Sequence, residues 1–532
     1  MSRHFVLITD GLTVHEWQRR ALATLPVGDT ISVFACNNTR LKRQYGRHFL
    51  YYVLNTLAVR NPLTAQVPLD DIGGRLVEAH SFASEWDGNW QRLPAGIAAA
   101  ISNSDAVAVL KFGMGLMRVP DGVSMPILSY HHGDPDHYRG RPAGFYEMAN
   151  RTPLIGQMIQ SISNKLDAGE VLAFAETRVM PHSWRATLME SFRHSPLLLN
   201  QAITNALSGA TIPKARTGKN YRLPSNWTVA KHVVRTGWIF AKRIAYGLFA
   251  EKNWRVAVIP SGGDAFDLAT SAKPFPALVS WDNLETPSGY TFLADPFFAP
   301  DGGVLVEALE ANSGRGALLH MSPNGTTKLN EAVGHHSYPS VVEEDGQHYC
   351  VPEIADWSPP MIYLLADGCA KLGAPIALNI PDPSGITDPT FLRHNGKLWL
   401  FGNRKAEGSN VLRLWSADSL LSCFTEHPQS PIRISPNGGR MGGNFLSNDE
   451  KLYRLGQNFE VDYGDGIAVF EIGMLNTEHY AECQVGGLRF TGVKGPHSFN
   501  LSNDHKKVVF DWYSDRYTPM AGIRRLRSRL GI

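Results

Sequence analysis

The chain has little cysteine: five in 532 residues, at Cys36, Cys350, Cys369, Cys423 and Cys483, with no Cys-x-x-Cys pair. That argues against a zinc ribbon and a disulfide framework, and a reducing cytosol is the simplest compartment. It has no excess of charge of either sign. Lys and Arg number 51 and Asp and Glu 49, with no long basic run, so no nucleic-acid partner is expected. It also lacks a long apolar run, and no stretch reaches the roughly 20 residues that a transmembrane helix needs. Met1 to Thr9 has neither the basic start nor the apolar core of a secretory signal. A cytoplasmic location is expected.

What the chain does have is length and two textures. At 532 residues it exceeds one ordinary core, so two or three domains are expected. The first part alternates strand and helix. Phe5-Val6-Leu7-Ile8-Thr9 reads as a buried strand, as do Ile31 to Ala35 and Ala106 to Leu110. Thr13 stands three residues before Glu16, the spacing of a capping box, and Trp17, Ala21 and Leu25 follow at helical intervals. Pro94 to Ile101 reads as a helix with proline in its first turn. This rhythm predicts a parallel, Rossmann-type α/β sheet, in which ligands bind beyond the C-terminal ends of the strands.

Ser225 to about Leu248 reads as one helix. Val234, Trp238, Ala241, Ala245 and Leu248 form its apolar stripe, with Lys231, Arg235, Lys242 and Arg243 elsewhere on its surface. A basic amphipathic helix either makes weak contact with a membrane surface or packs on its own protein between domains, and packing is the expectation. The basic end around Arg524, Arg525, Arg527 and Arg529 is expected to be a solvated tail.

After Trp254 the texture becomes all-β. Short strands recur at Val304 to Leu309, His348 to Val351, Met361 to Leu364, Leu398 to Phe401, Val411 to Trp415, Leu452 to Leu455, Ile467 to Phe470 and Val508 to Trp512. Asp301-Gly302-Gly303, Asp345-Gly346 and Asn395-Gly396 mark turns between them. A loose repeat favours a propeller over a sandwich. Ala294-Asp295-Pro296-Phe297, Ser337-Tyr338-Pro339-Ser340 and Thr387-Asp388-Pro389-Thr390 recur about one blade apart.

Within the first part, Val109-Leu110-Lys111-Phe112-Gly113 precedes Ile127-Leu128-Ser129-Tyr130-His131-His132-Gly133-Asp134-Pro135-Asp136-His137-Tyr138-Arg139-Gly140. Gly156-Gln157-Met158-Ile159 and Leu166-Asp167-Ala168-Gly169 follow. Over roughly residues 1 to 205 these pieces resemble the folate-dependent formyltransferases in order and spacing. The resemblance implies attack of an amine on the formyl carbon of 10-formyltetrahydrofolate. It implies His131 at the oxyanion and Asp167 holding that imidazole, with Phe112 and Gly113 lining the folate pocket and Arg139 and Gly140 shaping the adjacent loop. The family Asn falls on Ser129, whose hydroxyl cannot place the same donor. Shifting the register by one residue makes His132 the catalytic histidine and puts Tyr130 in the Asn place. A metal held by His131, His132, Asp134, Asp136 and His137 is not expected, because successive loop residues rarely converge on one ion.

The β part, from about Ala294 to Asp511, resembles the propeller-like N-terminal domain of the glucosamine inositolphosphorylceramide transferases. The likeness rests on Ala294-Asp295-Pro296-Phe297, His336-Ser337-Tyr338-Pro339, Val351-Pro352-Glu353, Arg440-Met441-Gly442-Gly443, Tyr453-Arg454, Gly456-Gln457 and Tyr463-Gly464. It also resembles five-bladed glycosidase propellers, in which acidic residues from three blades surround the axis. Asp295, Glu353 and Asp388 are the matching trio here, and Arg440, Gln457 and His497 would complete a sugar-sized polar cavity.

The expected organisation is a formyltransferase-like α/β domain over 1–205, a helical linker over 206–253, a five-bladed β-propeller over 254–520 and a basic tail over 521–532. The expected function is formylation of an amino sugar in surface polysaccharide or glycolipid synthesis, with the propeller holding a glycolipid or nucleotide-linked sugar substrate. The alternative is a degenerate formyltransferase fold joined to a glycan-binding or glycan-processing propeller.

Overall fold

The computed structural model describes residues 2–38, 45–69, 72, 74–165, 169–329, 334–354, 359–381 and 385–530. The chain divides into two compact units, Met1–Ala241 and Lys242–Ile532.

Unit one is built on a seven-stranded sheet. Its order is Leu76–Phe82, Thr30–Cys36, His4–Asp10, Ala108–Lys111, Ile127–His131, Leu154–Ser161 and Glu170–Arg178. Phe5, Val6, Leu7 and Ile8 are all fully buried, as a strand covered on both faces requires. The first five strands in that order run parallel. Leu154–Ser161 runs antiparallel to both its neighbours, so the sheet is mixed and the purely parallel expectation is corrected. The first helix, Glu16–Ala23, is capped differently from the Thr13/Glu16 expectation. His15 is the N-cap and its N–H donates to Gln18 Oε1 at 2.9 Å, because Thr13 is committed to the short strand Thr13–His15. The helix Ala95–Ser102 starts with Pro94 as its N-cap.

The 206–253 stretch is not uniformly helical. Pro213 and Gly218 fall in a segment without regular structure, and Lys219–Tyr221 pairs with Tyr138–Gly140. The long helix then runs Asn226–Phe249 and passes directly into a strand at Ala250.

Unit two is a five-bladed propeller. Blade one comprises Tyr290–Phe298, Val304–Glu310, Gly316–Ser322 and Gly325–Lys328, and blade two His336–Glu344, Gln347–Ile354, Met361–Ala366 and Lys371–Ala377. Blade three starts at Ile386–His394 and blade four at Asn437–Met441. Blade five is composite: Phe499–Leu501 and Lys507–Tyr517 from the end of the chain, then Ala250–Pro260 and Asp282–Asn283 from the start of the unit. Ala250–Pro260 and Lys507–Tyr517 pair in continuous antiparallel register from Ala250–Tyr517 to Pro260–Lys507. This pairing closes the ring by joining the two ends of the unit in one blade. It also places the start of the propeller at 250 rather than 254. Residues 521–530 form a helix, not an extended tail.

The three-fold repeat in the sequence has a structural cause. Asp295, Tyr338 and Asp388 adopt left-handed φ values of 48°, 47° and 47°. Each stands before a proline, and the ladder of each inner strand slips there. Such a bulge turns a side chain out of the regular alternation, and the proline supplies no N–H that would need a partner.

Candidate functional site

The polar cluster is assembled from all five blades. Asp295 and Asp388 come from the bulges of blades one and three, and Glu353 sits near the end of the second strand of blade two, opposite Ser337. Arg440 and Gln457 come from blade four, and His497 precedes the inner strand of blade five. The six residues singled out from sequence fall into two bonded groups, Asp388–Arg440–Gln457–Glu353 and Asp295–His497, with the Tyr463 ring against both Arg440 and His497.

Asp388 is fully buried and receives a guanidinium fork: Arg440 Nε donates to Oδ2, and Arg440 Nη2 donates to Oδ1 at 2.9 Å. Gln457 Nε2 donates to Oδ2 at 2.8 Å, and Arg440 Nη2 also reaches Glu353 Oε2 at 3.3 Å. Arg440 lies over the Tyr463 ring at 5.6 Å. Asp388 and Arg440 therefore hold each other, whereas Glu353 has only one long contact to the cation. Burial pushes the Glu353 carboxyl up to about 8, and Arg440 only partly offsets this. The Arg440 guanidinium keeps its proton because Asp388 outweighs the opposing effect of burial.

On the other side of the cluster, Asp295 accepts from Ser498 Oγ at 3.1 Å and faces His497 Nε2 at 3.2 Å. The other imidazole nitrogen, Nδ1, lies 2.6 Å from Asp511 Oδ2. Burial opposes charge on His497, but Asp511 and Asp295 outweigh it and raise its pKa to about 9. Burial raises Asp295 to about 7. His497 pulls it down, while Glu307, Asp388 and Asp511 push it up. Trp254 covers the imidazole, with ring centroids 4.3 Å apart. Donor atoms of Asp295, His497 and Asp511 all lie within 4.8 Å of one another. Both ring nitrogens already face carboxylates, so the arrangement suits an imidazolium better than a metal ligand.

Sequence reasoning missed Asp511, Ser498, Trp254 and Tyr463 as members of this cluster. Asp511 carried a signal: it is a lone acid inside the apolar run Val508-Val509-Phe510-Asp511-Trp512, where a fully buried charge needs partners. The Arg440-Met441-Gly442-Gly443 motif also has a steric reason. A Cβ on Gly443, at φ 132°, would fall 2.2 Å from Phe499 O.

Unit one places its expected site residues less favourably. Phe112 and Gly113 both donate their N–H to Ile8 O, at 2.8 and 2.9 Å. A Cβ on Gly113 would meet Thr9 C at 2.4 Å. The Phe112 ring belongs to an aromatic cluster with Trp17 and Tyr130. Ser129 is buried in mid-strand, between Lys111 and Gln160. His132 is enclosed by Trp17 and Phe192, and its Nε2 lies 2.9 Å from Ser195 Oγ. Burial pushes its pKa down to about 3, with a smaller push from His131. His131 ends its strand half-buried. Asp167 lies outside the described residues.

The following loop is tied down. Asp134 pairs with His137 at 2.9 Å and Lys214 at 3.3 Å, and Asp136 accepts from the Arg216 N–H at 2.7 Å. Arg139 Nη1 donates to Arg216 O at 3.0 Å. Gly140, at φ 86°, has no room for a Cβ because Tyr221 O would be 2.2 Å away. Sequence reasoning also missed Glu147, which lines a small cleft with His132, Arg139 and Gly140. Burial raises its pKa to about 7.

Three comparisons bear on these sites. The family model described as glucosamine inositolphosphorylceramide transferase 1, N-terminal, matches residues 323–520. Glucosamine inositolphosphorylceramide transferase 1 of Arabidopsis thaliana is 28% identical over 252 residues, covering 44% of this chain and 32% of the relative. The match thus spans about a third of that relative's own length. Among solved structures, a putative exo-β-1,3-galactanase from Bifidobacterium bifidum is 16% identical, with a TM-score of 0.29 over 39% of this chain and 78% of that one. An exo-1,5-α-L-arabinanase from a bovine ruminal metagenomic library is 10% identical, with a TM-score of 0.29 over 38% and 86%. At such TM-scores the structural likeness carries no argument. None of these relatives is a formyltransferase, and it is the propeller half that is similar to the N-terminal part of a glycolipid-related sugar transferase.

Proposed function

We propose that the chain binds and processes the sugar headgroup of a glycolipid at the propeller axis, and that unit one does not transfer formyl groups. One observation carries the reading: Asp295, Glu353, Asp388, Arg440 and His497 come from five different blades into two groups whose charges act on each other. The sugar transferase named above supports the substrate class.

The chemistry follows from the unequal environments of the carboxyl groups. Glu353, raised to about 8 by burial, holds its proton at neutral pH and suits a general acid. It would protonate the leaving oxygen as the bond to the anomeric carbon breaks, the bonding electrons going to that oxygen. An acceptor hydroxyl would attack the anomeric carbon and pass its proton to the ionised fraction of Asp295. Asp388 is committed to Arg440 and Gln457, so its part is to fix the guanidinium. Formyl transfer lacks comparable support: Ser129, in the place of the family Asn, is buried in mid-strand.

The test is calorimetry and product analysis with a glucosamine-bearing inositol phospholipid headgroup, on wild type, Glu353→Gln and Asp295→Asn. Binding that survives in both variants while turnover is lost supports catalysis at the axis. Binding without turnover in wild type reduces the reading to a lectin. Neither binding nor turnover of any glycolipid headgroup sinks it. The same preparation is expected to show no binding of a tetrahydrofolate, and clear binding weakened by His131→Ala would restore the formyltransferase reading.

A further inference from the structure

We infer that the Tyr463 ring is the platform on which the sugar stacks at the propeller axis, seating it between the Glu353 group and the Asp295 group. The inference rests on the sugar-binding reading above and adds to it the residue that positions the substrate. Every residue concerned belongs to unit two.

Exposure singles Tyr463 out. Trp254, Tyr338 and Tyr513, the other large rings at the cluster, are buried, whereas Tyr463 is 37% exposed. Its ring still reaches both bonded groups. The Arg440 guanidinium lies 5.6 Å from its centroid, and the His497 ring lies 5.5 Å away at 66°. The carboxyls of the two groups are near enough for Asp295 to raise Glu353, so one ligand on this ring can meet both.

The chain around Tyr463 is fixed, as a platform requires. The Tyr463 N–H donates to Asp462 Oδ1 at 2.9 Å. Its carbonyl accepts from Lys252 Nζ at 2.6 Å and from Tyr513 Oη at 3.3 Å. Lys252 also pairs with Asp462 at 3.2 Å. Gly464 follows at φ 73°, and a Cβ there would fall 2.2 Å from Trp254 Cη2. The turn therefore sits directly on the tryptophan that covers His497.

A pyranose has an apolar face of C–H groups and a rim of hydroxyls. A tyrosine ring holds such a face by dispersion and by the attraction of C–H dipoles to its negative π face. With two χ angles to fix, it loses little entropy in doing so. The rim hydroxyls are then left to the carboxyls and the guanidinium beside it. A tyrosine serving only the fold would have its ring packed away, as Tyr338 and Tyr513 have.

The experiment is calorimetry of the full chain with the glucosamine-bearing inositol phospholipid headgroup, on wild type, Tyr463→Phe, Tyr463→Trp and Tyr463→Leu, with nuclear magnetic resonance of the sugar protons. Leucine keeps apolar volume and removes the flat face. The two aromatic variants are expected to bind within about threefold of wild type, and Tyr463→Leu about 10- to 30-fold more weakly. The sugar C–H protons are expected to move upfield on binding to wild type, shielded by the ring, and not on binding to Tyr463→Leu. Weak binding by Tyr463→Leu with melting unchanged supports the platform, and should that variant fail to fold, the proton shifts on wild type decide. If wild type binds and Tyr463→Leu binds equally, or the bound sugar protons stay unshifted, the platform is overturned and the axis reading stands. If wild type binds no headgroup, the axis reading falls and the platform with it.

Discussion

The Asp511 carboxylate accepts the backbone N–H of Asp295 at 3.0 Å, across 216 residues of chain. It also accepts the N–H groups of His497 at 2.9 Å and Ser498 at 3.0 Å. One fully buried side chain therefore joins the first blade to the last beside the strand pairing that closes the ring. The same group holds His497 in place, so a single carboxylate ties the ring's closure to the geometry of the site.

Asp511→Ala should be the most damaging single change in unit two. It strands three backbone donors and removes the counter-ion of His497, with an expected loss of about 3–5 kcal/mol. Asp511→Asn keeps one carbonyl acceptor and should lose less. Urea denaturation followed by tryptophan fluorescence checks both, and equal stability of the alanine variant and wild type would contradict the closure role.

Arg440→Ala should destabilise by about 3–5 kcal/mol, because it leaves Asp388 buried without its cation. Arg440→Lys keeps the charge but not the fork, and should fall between wild type and alanine. Adding Asp388→Asn to Arg440→Ala should recover part of the loss, since no buried charge is then left alone. A double variant no more stable than Arg440→Ala would show that the pair is not coupled as the geometry indicates.

Unit two should become less stable as pH rises from about 4 to 9. Asp295 moves from 3.8 up to about 7, and Glu353 from 4.5 up to about 8. His497 moves from 6.5 up to about 9. In each case the folded state binds more protons than the unfolded state, so raising pH favours unfolding across the interval between the two values. Asp295→Asn with Glu353→Gln should flatten the slope between about pH 4 and 8, leaving the part above 6.5 to His497. Melting curves across this range provide the measurement, and a slope unchanged in the double variant would refute the assignment.

In unit one His132 should contribute with the opposite sign, against Glu147, which is raised from 4.5 to about 7. His132 falls from 6.5 to about 3 on burial, so the unfolded state takes up a proton first and stability drops as pH falls below about 6.5. His132→Phe should remove that acid sensitivity, with a loss near neutrality of about 1 kcal/mol for the bond to Ser195 Oγ. Nuclear magnetic resonance of the histidine ring protons gives a direct check: the His132 signal should not titrate between pH 5 and 8.

Local pattern determined much of this protein. Buried strands such as Phe5 to Ile8 were legible because burial on both faces demands a continuous apolar run. The blade repeat was legible because Asp295, Tyr338 and Asp388 share one local device, a left-handed residue before proline. The repeat did not show which carboxylates meet: Asp295, Glu353 and Asp388 were singled out by the resemblance, and Glu353 lies outside the repeated device. Tertiary structure decided what depends on partners distant in sequence. The antiparallel strand Leu154–Ser161 differs from its neighbours only in connection. Asp511 looked like one acid in a short strand until ring closure set it against Asp295. His131 and His132 were indistinguishable in sequence, and only packing set His132 against Trp17 and Phe192. The stripe on the long helix has the pattern of a packed face, and what covers a face is a property of the neighbours, which no local pattern contains.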